Sequence, residues 1–312
     1  MKDLKEQKGG ESRVSQENRF IGNFEAEEKD MGWKKFKISK FGLIGLMVVI
    51  ACIFFLPLAW TVISSLKSEG QIISYPPQWI PKQITAENFI LVFQKFPFIN
   101  WSFNSICLAV ISTFLILAVD SLAAYAFGRL EFKGKKLLFG LVVSMLLFPI
   151  QAYVVPLFMV FSTLHLLNTF VAIILPSTAQ VTGVFLLTAF FKSIPKELEE
   201  AAFIDGCTDF RIFFALMLPL SKPALSSVAI LSFISNWNNF LWPLIAIRSD
   251  ILKPLPVGVA QFMGAAGGVS GSAPQYGISL AAAVMAIIPT LLVFLLLQRY
   301  FVQGVIASGL KG

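Results

Sequence analysis

Six long apolar runs alternate with short polar stretches along the chain. The first, Phe41 to Ile63, reads "FGLIGLMVVIACIFFLPLAWTVI". The others cover residues 104–127, 137–154, 170–191, 224–247 and 278–297. Each approaches the ~20 apolar residues that a helix needs to cross the hydrocarbon core of a bilayer. They are apolar all round, the pattern of helices in lipid rather than of a half-buried stripe. Apolar and polar residues do not alternate over ten-residue segments, which argues against a β-barrel. A soluble core built from six such runs would lack the polar surface to cover it. The expected fold class is an all-α integral membrane protein with six transmembrane helices.

Composition agrees: 56% of the 312 residues are hydrophobic, 14% are charged, and mean hydropathy is +0.75. A soluble domain carries about 25% charged residues. Lysine and arginine fall unevenly, and their excess marks the cytoplasmic side. Of the 25, 20 lie in residues 1–40, the loop after the second run, the segment between the fourth and fifth, and the C-terminal tail. Only Lys67, Lys82, Lys95, Arg248 and Lys253 lie opposite. Both termini are therefore expected in the cytoplasm. The net charge of +7 reflects this asymmetry and points to no nucleic acid. Residues 1–40 mix ten basic with eight acidic side chains and are expected to be solvated and poorly ordered. They show no signal-peptide pattern. Cys52, Cys107 and Cys207 are scattered, and His165 is the sole histidine. That gives neither a disulfide framework nor a metal spacing.

The segment 195–223 cannot span, because it is charged and sits between two complete runs. Pro195 suits a first helical turn, and Glu197, Glu199 and Glu200 follow near the positive end of the helix dipole. Asp205-Gly206 is a turn signal, and glycine can end a helix in the left-handed conformation. Helical spacing resumes at Phe210, Phe213, Phe214 and Met217 before Pro219 and Pro223 interrupt it. Two short helices joined by a bend are expected across the cytoplasmic face.

The order Glu200-Ala201-Ala202, Gly206, Leu216, Leu218-Pro219 resembles the EAA loop of permease subunits in binding-protein-dependent ABC importers. Leu216 stands where that pattern usually has isoleucine. "FPFINWSFNS", "LAAYAFGRLEFKGKK", "WNNFLWPL" and "QRYFVQGVIASGLKG" resemble carbohydrate permeases of the maltose-importer type. The resemblance covers about residues 40–312 and implies a permease domain over 41–312, with 195–223 as the coupling loop. It implies a coupling helix that docks into a cytoplasmic ATPase. Glu200 would meet a basic partner, Ala201 and Ala202 would permit close approach, and Asp205 and Gly206 would supply the bend. Leu216 and Pro219 complete the coupling set.

The chain has no P-loop. "GRLEFKGKKL" places five residues between its glycines rather than four, and Lys136 stands where a serine or threonine would bind magnesium. The resemblance therefore implies partners: a second permease subunit, two ATPase subunits that hold ATP and Mg, and an extracytoplasmic sugar-binding protein. The solute expected is a sugar or oligosaccharide; the alternative is a non-sugar solute such as a polyamine or phosphate ester. A membrane-embedded enzyme would need convergent nucleophiles, bases or ligands that these residues do not offer.

A sugar path should offer amides and aromatic rings to hydroxyls and flat ring faces. Asn236, Trp237, Asn238, Asn239 and Trp242 in the fifth run are candidates, with Asn238 and Trp242 four apart on one helical face. Gln151, Tyr153, Thr178, Gln180 and Thr182 are further candidates. The same amides can instead bond neighbouring helices, and the tryptophans can lie at the interface. Asp120 is a lone acid within the second run and is read as structural. The loops 66–100 and 248–277, the second glycine-rich, are the expected docking places for a binding protein.

Overall fold

The computed structural model describes residues 40–264 and 275–309, which leaves residues 1–39 of the tail and 265–274 of the glycine-rich loop outside the described residues. The described residues are helical and contain no strand. The chain divides into two units, Met1–Leu58 and Ala59–Gly312. Of the first, the structure describes part of one apolar helix, α1 (Lys40–Ser65), which continues into the second unit. The elements of the second unit that bear on the site are α2 (Phe98–Gly128), α3 (Lys135–Ser144), α4 (Ile150–Thr163), α5 (Val181–Ser193), α6 (Glu197–Ile204), α7 (Asp209–Ile212), α8 (Lys222–Trp237), α9 (Leu241–Ala246), α10 (Leu255–Gly264) and α11 (Tyr276–Gly309).

Four helical stretches are long and apolar enough to cross a membrane: Gly42–Ser65, Phe98–Gly128, Phe170–Ser193 and Tyr276–Leu296. Two bent pairs bring the number to six if each is one span. The third apolar run is one of these pairs, because its helix stops at Leu147 and restarts at Ile150 after a 103° change of direction. Pro149 explains the break. Its ring forces the preceding residue out of the helical region, and Phe148 is extended at φ −91°, ψ 116°.

The fourth run is also interrupted. A short helix, Phe170–Ile174, passes through a tight turn at Leu175–Ser177 that holds Pro176, and α5 starts at Val181. The fifth run breaks at 238–240, between α8 and α9. Pro243 is not the cause. It lies in the first turn of α9, where a missing N–H costs no helical bond. The expectation that Asn238 and Trp242 share a helical face therefore fails, since no continuous helix joins them.

Helix α2 is the central post, with α5 and α8 packed along it and α11 against α8. One buried cluster gathers Ala124, Tyr125, Leu187, Phe191, Ile212, Phe213, Met217 and Val228 at the end nearest the polar segment. A second, at the other end, gathers Phe98, Trp101, Ala109, Trp237, Leu255, Ile278 and Ala281. Small residues allow the close approaches. A Cβ on Gly258 would lie 2.2 Å from the Trp101 ring, so only glycine fits there.

Polar side chains pin the loops at this second end. Trp101 Nε1 donates to Asp250 O (2.7 Å), Asn104 Nδ2 donates to Ile251 O (2.7 Å), and Ser105 Oγ accepts from Leu255 N (2.7 Å). Glu69 accepts from the backbone N–H groups of Tyr276 and Gly277 and so caps α11. Lys67 is buried, donates to Gln78 O, and lies 4.3 Å from the Trp60 ring centroid. Burial pushes its ammonium below the ordinary value of 10.5.

Candidate functional site

The polar segment folds as two helical pieces around a bend. Helix α6 opens with Glu197, Glu199 and Glu200 in its first turn, where the helix dipole favours acids. Pro195 sits just ahead of the capping residue Lys196 rather than inside the first turn. The helix closes at Asp205, and Gly206 takes φ +78°. Open space surrounds Gly206, so its backbone angle alone selects glycine. Thr208 then caps α7 by accepting from Arg211 N (3.5 Å).

A widened π turn at Phe213–Met217 contains Leu216 and runs directly into Pro219. A proline ring clashes with the carbonyl four residues back, and a widened turn relieves that clash. The piece 209–220 meets α8 at 78°.

Two edges result. The inner edge, with Ala202, Cys207 and Leu216, packs on the buried cluster around Phe213 and Met217. On the outer edge Glu200, Ala201, Asp205, Gly206 and Pro219 are exposed. Large apolar side chains join them there: Phe203, Ile204 (87% exposed), Phe210 and Phe214. Such an apolar ridge is unusual for a surface facing only water.

Besides this packing, an ion pair ties the segment to the helical core. Arg129 follows the last residue of α2, and its Nε lies 2.7 Å from Glu199 Oε1, with the two side chains 3% and 13% exposed. Its guanidinium also donates to Ile194 O (2.7 Å) and Pro195 O (3.4 Å). Arg129 thus holds both the end of α5 and the first turn of α6. Sequence reasoning missed this pair. Arg129 counted there only as one positive charge in a loop, and nothing local links it to a residue 70 positions on.

The residues expected along a solute path separate into groups. Gln180 meets α8 through Ser232, whose hydroxyl donates to Gln180 Oε1 (3.2 Å), while Asn236 Nδ2 donates to the Ser232 carbonyl one turn back on the same helix (2.8 Å). Asn239 is half-buried nearby in sequence, its N–H donating to Asn236 O (3.2 Å). Asn238 is exposed and bonds back to Ile234 O (2.9 Å).

Gln151 and Tyr153 are exposed on α4 and do not join this group. Trp237 and Trp242 are both 2% exposed, in different clusters. Trp237 Nε1 donates to Ala286 O (3.3 Å), and Trp242 Nε1 donates to Ala172 O (2.7 Å) with its ring edge-on to Phe161. Their surroundings are those of core side chains whose one donor is satisfied.

Asp120 explains the interrupted fourth run. It is fully buried, and its carboxylate accepts from Gln180 N at 3.0 and 3.3 Å. That satisfies a backbone donor freed where α5 begins. A Cβ at Gly183 would sit 2.1 Å from Asp120 Oδ2, so glycine leaves the room the carboxylate occupies. The sequence carried one hint: Gly183 is the sole glycine in the run 170–191, and such a glycine signals close approach.

Comparison with known proteins gives a consistent result. Residues 121–307 match the family described as the binding-protein-dependent transport system inner membrane component. The arabinooligosaccharides transport system permease protein AraQ of Halalkalibacterium halodurans is 39% identical over 74% of this chain and 81% of its own. The trehalose/maltose transport system permease protein MalG of Thermococcus litoralis is 34% identical over 86% of this chain and 94% of its own. A chain of a bacterial ABC transporter involved in the import of the acidic polysaccharide alginate superposes with a TM-score of 0.74 at 24% identity, covering 86% of this chain and 98% of that one. The family match spans more than half of the sequence and the helical fold agrees. The chain belongs to the inner membrane components of binding-protein-dependent transport systems.

Proposed function

We propose that the chain is a permease subunit, not itself an enzyme, that carries a sugar or oligosaccharide from an extracytoplasmic binding protein into the cytoplasm. Residues 41–312 form the permease domain, and both termini lie in the cytoplasm with the segment 195–223. A second permease completes the pore, and two ATPase subunits supply the energy of ATP and Mg. The names of the relatives support a sugar over a polyamine or phosphate ester, since arabinooligosaccharides and trehalose/maltose are carbohydrates.

The observation that carries the coupling role is the outer edge of α6 and α7. There an acidic first turn and the exposed Ile204, Phe203 and Phe210 project from a segment fixed to α2 through Arg129 and Glu199. Such an edge suits a cleft on the ATPase, with Glu200 meeting a basic side chain and Ala201 allowing close approach. Movement of the cleft would reach α2 and the end of α5 through Arg129. The polar group Gln180–Ser232–Asn236 is the reading for solute contact, because an amide and hydroxyl cluster among spanning helices can meet sugar hydroxyls.

The test is uptake by vesicles reconstituted with the partner permease, the ATPases and the binding protein. Labelled arabino-oligosaccharide and maltose should accumulate with ATP. Accumulation of spermidine or glycerol phosphate instead would reject the sugar reading. Cysteines at Ala201 and Ile204 should crosslink to the ATPase; capture of no ATPase would reject the docking surface.

A further inference from the structure

The turn between α2 and α3 and the last turn of α5 line an open cavity of about 600 Å³ at the surface, bounded in part by Glu131, Phe132, Lys135, Lys136, Leu137 and Lys192. That volume lies within the ~300–1,000 Å³ of ordinary ligand sites. Its charges do not cancel. Glu131 is engaged by Lys135 at 3.2 Å, and Lys135 Nζ also donates to Leu130 O at 2.7 Å. Lys136 and Lys192 then have no carboxylate partner among the described residues. The Lys192 ammonium lies 5.4 Å from the Phe139 ring centroid, which steadies the charge without neutralising it.

The start of α3 adds to the same field. Gly134 precedes it at φ +84° with no side-chain cap, and the first turn holds no acid. Lys135 and Lys136 occupy that turn, where the helix dipole disfavours cations. Lys136 and Lys192 are exposed, so water screens this placement without neutralising it. An anion seated among Lys136, Lys192 and the first turn of α3 relieves it.

Position selects the kind of anion. Helix α2 ends at Gly128, α5 ends at Ser193, and the third apolar run begins at Leu137, so the cavity lies where spanning helices leave the hydrocarbon. Arg129 and its bonds to Ile194 O and Glu199 put it on the same face as the segment 195–223. Phe132 and Leu137 (69% exposed) give its lining apolar surface. Free phosphate would leave that surface facing water, whereas a phospholipid covers it with acyl chain.

We propose that this cavity binds the headgroup phosphate of an anionic phospholipid of the inner leaflet, held by Lys136 and Lys192. The site rests on the cytoplasmic placement of the segment 195–223 proposed above and is independent of the solute the chain moves. Basic pockets between spanning helices suit such headgroups, and each lysine contributes to their retention.

The test is native mass spectrometry of the full chain exchanged into detergent micelles doped with dioleoylphosphatidylglycerol or dioleoylphosphatidylcholine. The wild type should retain the anionic lipid with a preference on the order of thirtyfold, the product of two lysine contributions. Lys136→Gln combined with Lys192→Gln should bring the two lipids to near parity. Lys133→Gln, a neighbour outside the lining, should keep most of the preference, and 10 mM inorganic phosphate should not displace the lipid. Gel filtration confirms that each variant is folded. An unchanged preference in the double variant, an equal loss in Lys133→Gln, or displacement by phosphate each overturns the proposal.

Discussion

Breaking the ion pair between Arg129 and Glu199 should weaken the coupling of the polar segment to the spanning helices, leaving its apolar packing. The two side chains approach to 2.7 Å and are 3% and 13% exposed, so salt screens them weakly. At an effective dielectric near 20, opposite charges with centres ~4 Å apart attract by about 4 kcal/mol. Desolvation offsets part of that gain. Removing one partner is costlier, because it strands the other charge away from water, at about 3–5 kcal/mol. Arg129→Ala also gives up the bonds to Ile194 O and Pro195 O.

The assay is a double-mutant cycle of Arg129→Ala and Glu199→Ala, read by reversible unfolding in mixed micelles and by transport in vesicles. The double variant should be less damaged than the summed singles by about 0.5–3 kcal/mol. ATP hydrolysis should persist in the reconstituted complex while uptake falls, since the docking edge survives but keeps only its apolar packing against α2. Additivity within ~0.3–0.5 kcal/mol, or uptake at the wild-type rate per ATP, would refute the reasoning.

Other positions give sharper local tests. Gly206→Val meets open space but must hold φ +78°, so it should cost about 1–2 kcal/mol and lower uptake, with membrane insertion by protease protection unchanged. Gly183→Ala drives a methyl into Asp120 Oδ2 and should lower stability by about 1–3 kcal/mol in the same unfolding assay. Asp120→Leu strands the Gln180 N–H and should cost about 1–3 kcal/mol, whereas Asp120→Asn keeps an acceptor and should cost less; equal losses would argue against the capping role. Trp242→Phe removes the bond to Ala172 O and should cost about 0.5–1.5 kcal/mol with KM for solute unchanged. A raised KM would instead place Trp242 on the solute path.

The sequence by itself determined the apolar runs, the uneven spread of lysine and arginine, and the bend at Asp205-Gly206. These are legible because they depend on local quantities. A run long enough for the bilayer is a property of consecutive residues. A left-handed turn is a property of one glycine, as Gly206 at φ +78° shows.

Tertiary structure alone decided the rest. Pro149 marks a kink in the third run that the sequence announces, but the 103° size of the turn is set by how the two pieces pack. Hydropathy did not pair Asp120 with a backbone N–H 60 residues away, or Arg129 with Glu199. It offered Trp237 and Trp242 as solute contacts, since a tryptophan in a membrane run looks the same whether its indole meets a ligand or a carbonyl on the next helix. Hydrophobicity is additive along a chain. Hydrogen-bond satisfaction depends on which helices pack together, and that is a property of the fold.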